Sequence, residues 1–111
     1  MTVAGTCGTK GYSGDGGSAL EALLNQPFDI EIGPDDGALY IADTENHVVR
    51  KVDLSSHGIE LVAGTGTAGY SGEALPATKS KLREPYGLAF DGEGTLFIVD
   101  TFNNRIREIV Q

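Results

Sequence analysis

His47 and His57 are the two histidines of this chain, and Cys7 is its one cysteine. Either imidazole could serve as a base or a metal ligand, but a zinc site needs three or four clustered N or S donors. The sequence spells out no such cluster, so His47 reads as a residue that hydrogen-bonds locally and His57 as a solvated turn residue. Cys7 sits between Thr6 and Gly8 with only Lys10 nearby for positive charge, too weak a setting to activate a thiol. It reads as a small loop residue, and a disulfide within the chain is impossible. Two acids stand at matched places: Asp43 with Asn46 and Arg50, and Asp100 with Asn103 and Arg107. As chemistry these carboxylates would be calcium ligands or a general base. As structure, an Asp at a strand end bonds backbone N–H groups of its own turn and pairs with the arginine across the hairpin. The shared spacing favours structure, each set holding its own unit. Asp29 and Glu31 alternate with apolar residues and should share one strand face, where copies around a ring would offer carboxylates to a cation. Gly11-Tyr12-Ser13-Gly14-Asp15-Gly16-Gly17 lacks the G-x-x-x-x-G-K-[ST] phosphate-loop pattern and reads as a connector. Asp91-Gly92-Glu93-Gly94 does not have EF-hand spacing. No Ser/His/Asp or Cys/His nucleophile set can be assembled, so the residues point away from an enzyme and to no cofactor.

Those residues sit in a chain that repeats itself. Val3-Ala4-Gly5-Thr6 returns as Val62-Ala63-Gly64-Thr65, and Gly11-Tyr12-Ser13-Gly14 as Gly69-Tyr70-Ser71-Gly72. Pro27-Phe28 returns as Pro85-Tyr86, and Leu39-Tyr40-Ile41-Ala42-Asp43-Thr44 as Leu96-Phe97-Ile98-Val99-Asp100-Thr101. Alternation and β-branched content predict strands over Phe28–Ile32, Leu39–Ala42, His47–Val52 and Ile59–Ala63, then Tyr86–Phe90, Leu96–Val99 and Arg105–Val110. Thr2–Ala4 matches Leu61–Ala63 and is expected to be a last strand displaced to the front. Gly33-Pro34-Asp35-Asp36-Gly37 and Asp91–Gly94 supply the turns between them. Ser18–Leu24, with good helix formers behind a capping Ser, predicts a short helical turn, and Ala77–Leu82 a weaker one. Short strands at this spacing point to an all-β sandwich, barrel or propeller, and the repeat selects the propeller.

Composition agrees. The chain has 111 residues, room for one module, and its 16 glycines suit many tight turns. A net charge of −8 argues against phosphate-backbone binding, and Lys79, Lys81 and Arg83 are the one stretch that could form a basic patch for RNA. No basic leader or long apolar run is visible, so a soluble chain with no membrane contact and no readable compartment is expected.

The run Leu39-Tyr40-Ile41-Ala42-Asp43-Thr44-Glu45-Asn46-His47-Val48-Val49-Arg50-Lys51-Val52 and its echo Leu96–Arg107 resemble the NHL-repeat β-propeller family. The name-giving Asn-His pair stands at Asn46-His47 and departs to Asn103-Asn104 in the second copy. The connector motif of bacterial members matches at Asp15-Gly16-Gly17 and departs at Glu73-Ala74-Leu75. The resemblance implies four antiparallel strands per blade and commonly six blades per ring. It also implies a scaffold whose loop face binds proteins, with Tyr12 and Tyr70 as candidate members of that face. Related propellers include metal-dependent enzymes with sites in the central channel, an alternative that needs ligand clusters this chain does not spell out. Natural members carry all their blades on one chain, so this one resembles a two-blade fragment, engineered or ancestral-like.

The frame is then permuted. Residues 1–6 would be the last strand of a preceding blade, 7–64 the first repeat with its connector, and 65–111 a second repeat lacking its last strand. The expected partner is the chain itself: the first strand of one copy completes the last blade of the next, head to tail. Two blades per chain permit a dimer, a trimer or a tetramer, and the six blades common in the family favour a homotrimer.

Overall fold

The computed structural model describes residues 1–109. It holds two antiparallel sheets and no α-helix among the described residues. The first sheet runs in sequence order: β1 (Asp29–Ile32), β2 (Leu39–Asp43), β3 (Val48–Val52) and β4 (Ile59–Ala63). The second has three strands, β5 (Pro85–Phe90), β6 (Leu96–Asp100) and β7 (Arg105–Ile109). Of the eight expected strands, the seven from Phe28 onward are present, within a residue or two at each end. The expected end of the last one, Val110, lies outside the described residues.

Register ties this to sequence. Tyr40 faces Lys51 and Ala42 faces Val49 across β2–β3, and Val49 faces Ala63 across β3–β4 after a slip between Val49 and Arg50. Strand alternation therefore sorts the first sheet into two faces. Tyr40, Ala42, Val49 and Ala63 form one buried layer with Leu82, Leu88, Leu96 and Ile98 of the second repeat. Ile41, Val52 and Ile59 face the other way and pack on Ala19 and Ala22 of the first connector, with Ala4 and Leu24 against them. The two layers obey the repeat: Ala77 and Leu82 do in the first what Ala19 and Leu24 do in the second.

The connectors hold 3-10 turns at Ala19–Glu21 and Ala77–Lys79 where short helical turns were expected. Ser18 caps the first, its hydroxyl accepting from the Leu20 N–H at 3.3 Å. Each connector also holds the residue after a fourth-strand motif, Gly5 N–H donating to Ala19 O at 2.9 Å and Gly64 N–H to Ala77 O at 3.0 Å. The segment Thr2–Ala4 forms no strand within this chain. Residues 3–5 are a bend, and Thr6 bridges only to Thr9. The physical reason is plain, because a strand needs a hydrogen-bonding neighbour and Thr2–Ala4 lies against a connector instead.

Of the glycines, Gly64 makes the closest approach to another stretch of backbone. At φ +94° a Cβ would stand 2.4 Å from His47 O and 2.9 Å from the Val48 Cα. Gly64→Ala is expected to lower stability by at least about 2 kcal/mol in urea melts. Gly92→Ala, where a Cβ meets nothing within 4 Å, should change it little.

Candidate functional site

The residues singled out by spacing come together twice, as two separate clusters. In the first, Asp43 ends β2, Asn46 ends a 3-10 turn at Thr44–Asn46, and Arg50 lies mid-β3. Asp43 Oδ2 accepts from Asn46 Nδ2 at 2.9 Å and from an Arg50 guanidinium N–H at 3.2 Å. Its Oδ1 accepts from the Asn25 backbone N–H at 2.8 Å. The second cluster repeats this: Asp100 Oδ2 takes Asn103 Nδ2 at 2.9 Å and Arg107 at 3.1 Å, and Oδ1 takes the Arg83 N–H at 2.8 Å. The pairing of Asp with Arg across the hairpin is as the spacing suggested. The backbone donor is not: it comes from the connector, 18 residues upstream for Asp43 and 17 for Asp100, rather than from the Asp's own turn.

The other ends of these side chains reach into the connectors as well. Asn46 Nδ2 donates to Gly11 O at 2.7 Å, and Asn103 Nδ2 to Gly69 O at 2.8 Å. Arg50 donates to Ser13 O at 2.7 Å, Leu23 O at 2.8 Å and Asp15 Oδ1 at 2.9 Å. Each of the three nitrogens of a fully buried guanidinium thus has an acceptor, four bonds in all, which is what makes its burial tolerable. Burial pushes the Asp43 carboxyl up from its ordinary value, and the donors from Asn25, Asn46 and Arg50 pull it back. Tyr12 lies under this guanidinium, 5.1 Å from it to the ring centroid, and donates to Asp15 at 2.9 Å. Burial and then the Asp15 bond push its hydroxyl up to about 12. Tyr70 holds the matching place beneath Arg105 and Arg107, its hydroxyl bonded to Glu73.

The clusters differ where the sequence departs from its own repeat. Asp15 bonds Arg50, while Glu73 faces Arg105 at 3.9 Å. Gly16 and Gly17 pair with Ile59 of β4 through two backbone bonds, 2.8 and 3.0 Å, and their counterparts Ala74 and Leu75 have no fourth strand to pair with. Arg50→Met is expected to cost about 3 kcal/mol or more, and Arg107→Met, bonded more loosely, about 1–2 kcal/mol, read in paired denaturant melts.

The remaining candidates fall elsewhere. His47 caps the Thr44–Asn46 turn in the left-handed region at φ 58°, and Asn104 occupies the same conformation at φ 57°. Its Nδ1 accepts from the Glu84 N–H at 3.0 Å, so the ring is a bond between repeats. His57 is exposed in a turn at φ 66°. Asp29 and Glu31 do share a face, opposite Ala42 and Tyr40. Asp29 is engaged there, accepting from the Leu88 N–H of β5 at 2.8 Å. Cys7 is exposed. Among the described residues, no three His, Cys, Asp or Glu side chains gather where a metal ion could be held. Sequence reasoning missed the links between repeats: Asp29 to Leu88, His47 to Glu84, and the Thr44 hydroxyl to Pro85 O at 2.6 Å.

One pair at this seam carries like charge. Burial, and then a hydrogen bond and repulsion from Glu45, raise the Glu84 carboxyl above its ordinary value. A folded-state value above the unfolded one means the folded chain holds the proton more tightly. The ionised pair therefore weakens the fold above that window, and acidification relieves it. Glu45→Gln should raise the melting temperature at about pH 7 and shrink the gain seen on going to about pH 5.

No family model matches the chain. The chain is 35% identical over 98 residues to Protein SUPPRESSOR OF QUENCHING 1, chloroplastic, of Arabidopsis thaliana, covering 88% of this chain and 9% of that protein. It is 33% identical over 93 residues to NHL repeat-containing protein 2 of Gallus gallus, covering 82% of this chain and 12% of that one. It thus spans about a tenth of the length of these curated relatives. Among solved structures, a Bacteroides thetaiotaomicron protein of unknown function superposes with a TM-score of 0.81 at 26% identity, over 95% of this chain and 26% of its own. An auxiliary nutrient binding protein of the same organism superposes with a TM-score of 0.78 at 27% identity, over 97% and 28%. A further one, provisionally described as a phosphatase, gives 0.76 at 25% identity, over 96% and 25%. No helix among the described residues is long and apolar enough to cross a membrane. Two successive copies of one repeat, with four strands in the first and three in the second, each locked by the same Asp-Asn-Arg set, and the likeness to relatives named for that repeat make this chain a member of the NHL-repeat family.

Proposed function

We propose that the chain is a two-blade scaffold unit whose activity is head-to-tail association with further copies, closing an NHL-type propeller. The carrying observation is that each open surface has a filled counterpart inside the same chain. On one side Ile30 and Ile32 are exposed, 56% and 53%, while their repeat counterparts Leu88 and Phe90 pack on the first sheet. On the other side Val99 and Ile106 are exposed, 40% and 64%, while their counterparts Ala42 and Val49 are fully buried. Phe90 meets Tyr40 edge-on at 4.8 Å, and the same geometry would bring Ile32 of one copy to Phe97 of another.

The free edge of β7 has a matching seat. A groove of about 440 Å³ runs between β7 and the second connector, lined by Leu75, Ala77, Ile106 and Glu108 among others. In the first sheet that position is filled by β4, paired to β3 and to the connector at Gly16 and Gly17. Residues 1–6 of a second copy, which repeat the end of β4, fit it. Residues 7–64 and 65–111 are then the two repeats. Ala4 supports this, since it already packs beside Ala19 and Ala22 as Ala63 packs in the other layer. Three copies would give the six blades that the family resemblance implies. The loop rim would be left for protein ligands, and neither catalysis nor a bound metal is needed for the role. In a longer polypeptide, neighbouring repeats of that same chain would cover the two faces.

Light scattering tests this. Three times 11.6 kDa, about 35 kDa, is the expected solution mass. Removing residues 1–6 should lower it and expose apolar surface to dye. A cooperatively melting species of 11.6 kDa in dilute solution is the contrary result.

A further inference from the structure

Resting on that association reading, the rim where two copies would meet can be read residue by residue from the seam inside one chain. The internal seam has three fittings on its loop side. The Thr44 hydroxyl donates to Pro85 O, His47 Nδ1 accepts from the Glu84 N–H, and Glu45 stands against Glu84 beside Tyr86. The repeat carries each of these to the open side. Thr101 stands for Thr44, Asn104 for His47 and Phe102 for Glu45 on one face. Pro27, Gln26 and Phe28 stand for Pro85, Glu84 and Tyr86 on the other.

The backbone is already set for it. Asn104 shares the left-handed conformation of His47, and Gln26, at φ 53°, shares that of Glu84, at φ 50°. Thr101 bonds back to Val99 O at 3.4 Å as Thr44 does to Ala42 O at 3.3 Å, without the further acceptor that Pro85 O gives Thr44. Phe102 is 54% exposed and Phe28 56%, although both touch Tyr86, with centroids 6.3 and 4.5 Å from it.

We infer that Phe102, Thr101 and Asn104 of one copy dock on Phe28, Pro27 and Gln26 of a second copy of this chain, and that this seam is uncharged where the internal one is not. The internal seam tolerates the Glu45–Glu84 pair because the two blades are joined covalently and cannot separate. A seam between free copies has no tether, and an aromatic ring against an amide replaces the two carboxylates there. Phe102 would then extend the Phe28–Tyr86 pair into an aromatic belt running from copy to copy, with ring contacts of the kind that dominate interfaces.

A double-mutant cycle tests the seam with side chains the fold already accepts at the equivalent places. Phe102→Glu and Gln26→Glu recreate the internal pair at the open rim. Each single variant, and the double, should keep the monomer's far-UV spectrum. The concentration at which the assembly dissociates, read by analytical ultracentrifugation at low salt, should rise about tenfold or more in the double variant. That rise should exceed the product of the two singles and shrink in about 1 M salt. An assembly whose dissociation is unmoved by the double variant overturns the rim contacts and leaves strand complementation standing. A wild-type chain that stays at 11.6 kDa overturns both.

Discussion

A fully buried guanidinium constrains everything around it. Arg50 cannot sit at 0% exposure unless its guanidinium nitrogens find acceptors. The acceptors come from four places: Asp43 at the end of β2, and Ser13, Asp15 and Leu23 along the connector. One side chain therefore ties together both ends of residues 13–23, a connector that otherwise holds one 3-10 turn and scattered backbone bonds. The connector in turn supplies Ala19 and Ala22 as the floor of an apolar layer, so the polar clamp decides where the hydrophobic contacts form. Such a clamp is weak as a source of net stability and strong as a source of register, because any other path leaves a charge unpaired in the core.

The same logic explains why blades stack in one order. Within the chain, polar links cross from the first sheet toward the second from side chains at strand ends or in loops, among them Asp29, Thr44 and His47. Apolar layers alone tolerate sliding, whereas these links have partners at single backbone positions. The second sheet presents its own versions of two of them and lacks the third, since Gly87 replaces Asp29. A seam built on the open face of the second sheet would therefore differ in character from the internal one.

Much of this was legible in the residues. The repeat placed the strands, and the common spacing of Asp43, Asn46, Arg50 with Asp100, Asn103, Arg107 identified the sets that do come together. Alternation put Asp29 and Glu31 on one face. What sequence alone did not yield was the donor from Asn25 or Arg83, because a contact 17 or 18 residues away leaves no periodic trace. Nor did the fate of Asp29 show, since its Leu88 partner is a backbone N–H, which any residue but proline would provide. The expected strand at Thr2–Ala4 rested on its likeness to Leu61–Ala63. A likeness of sequence cannot provide the neighbouring strand that would turn it into structure.

The link from Asp29 to Leu88 has one more consequence. β1 and β5 each lie at the end of their sheets, with one row of backbone groups facing away from the ladder. β1 carries Asp29 and Glu31, charges that discourage another strand from lying alongside. β5 reads Pro-Tyr-Gly-Leu-Ala-Phe and carries none. The Asp29 carboxylate caps the Leu88 N–H in the middle of that bare border. It thereby takes away a donor that a stray strand would need to begin growing into a fibril, so an inner acid of the first blade acts as the gatekeeper of the second.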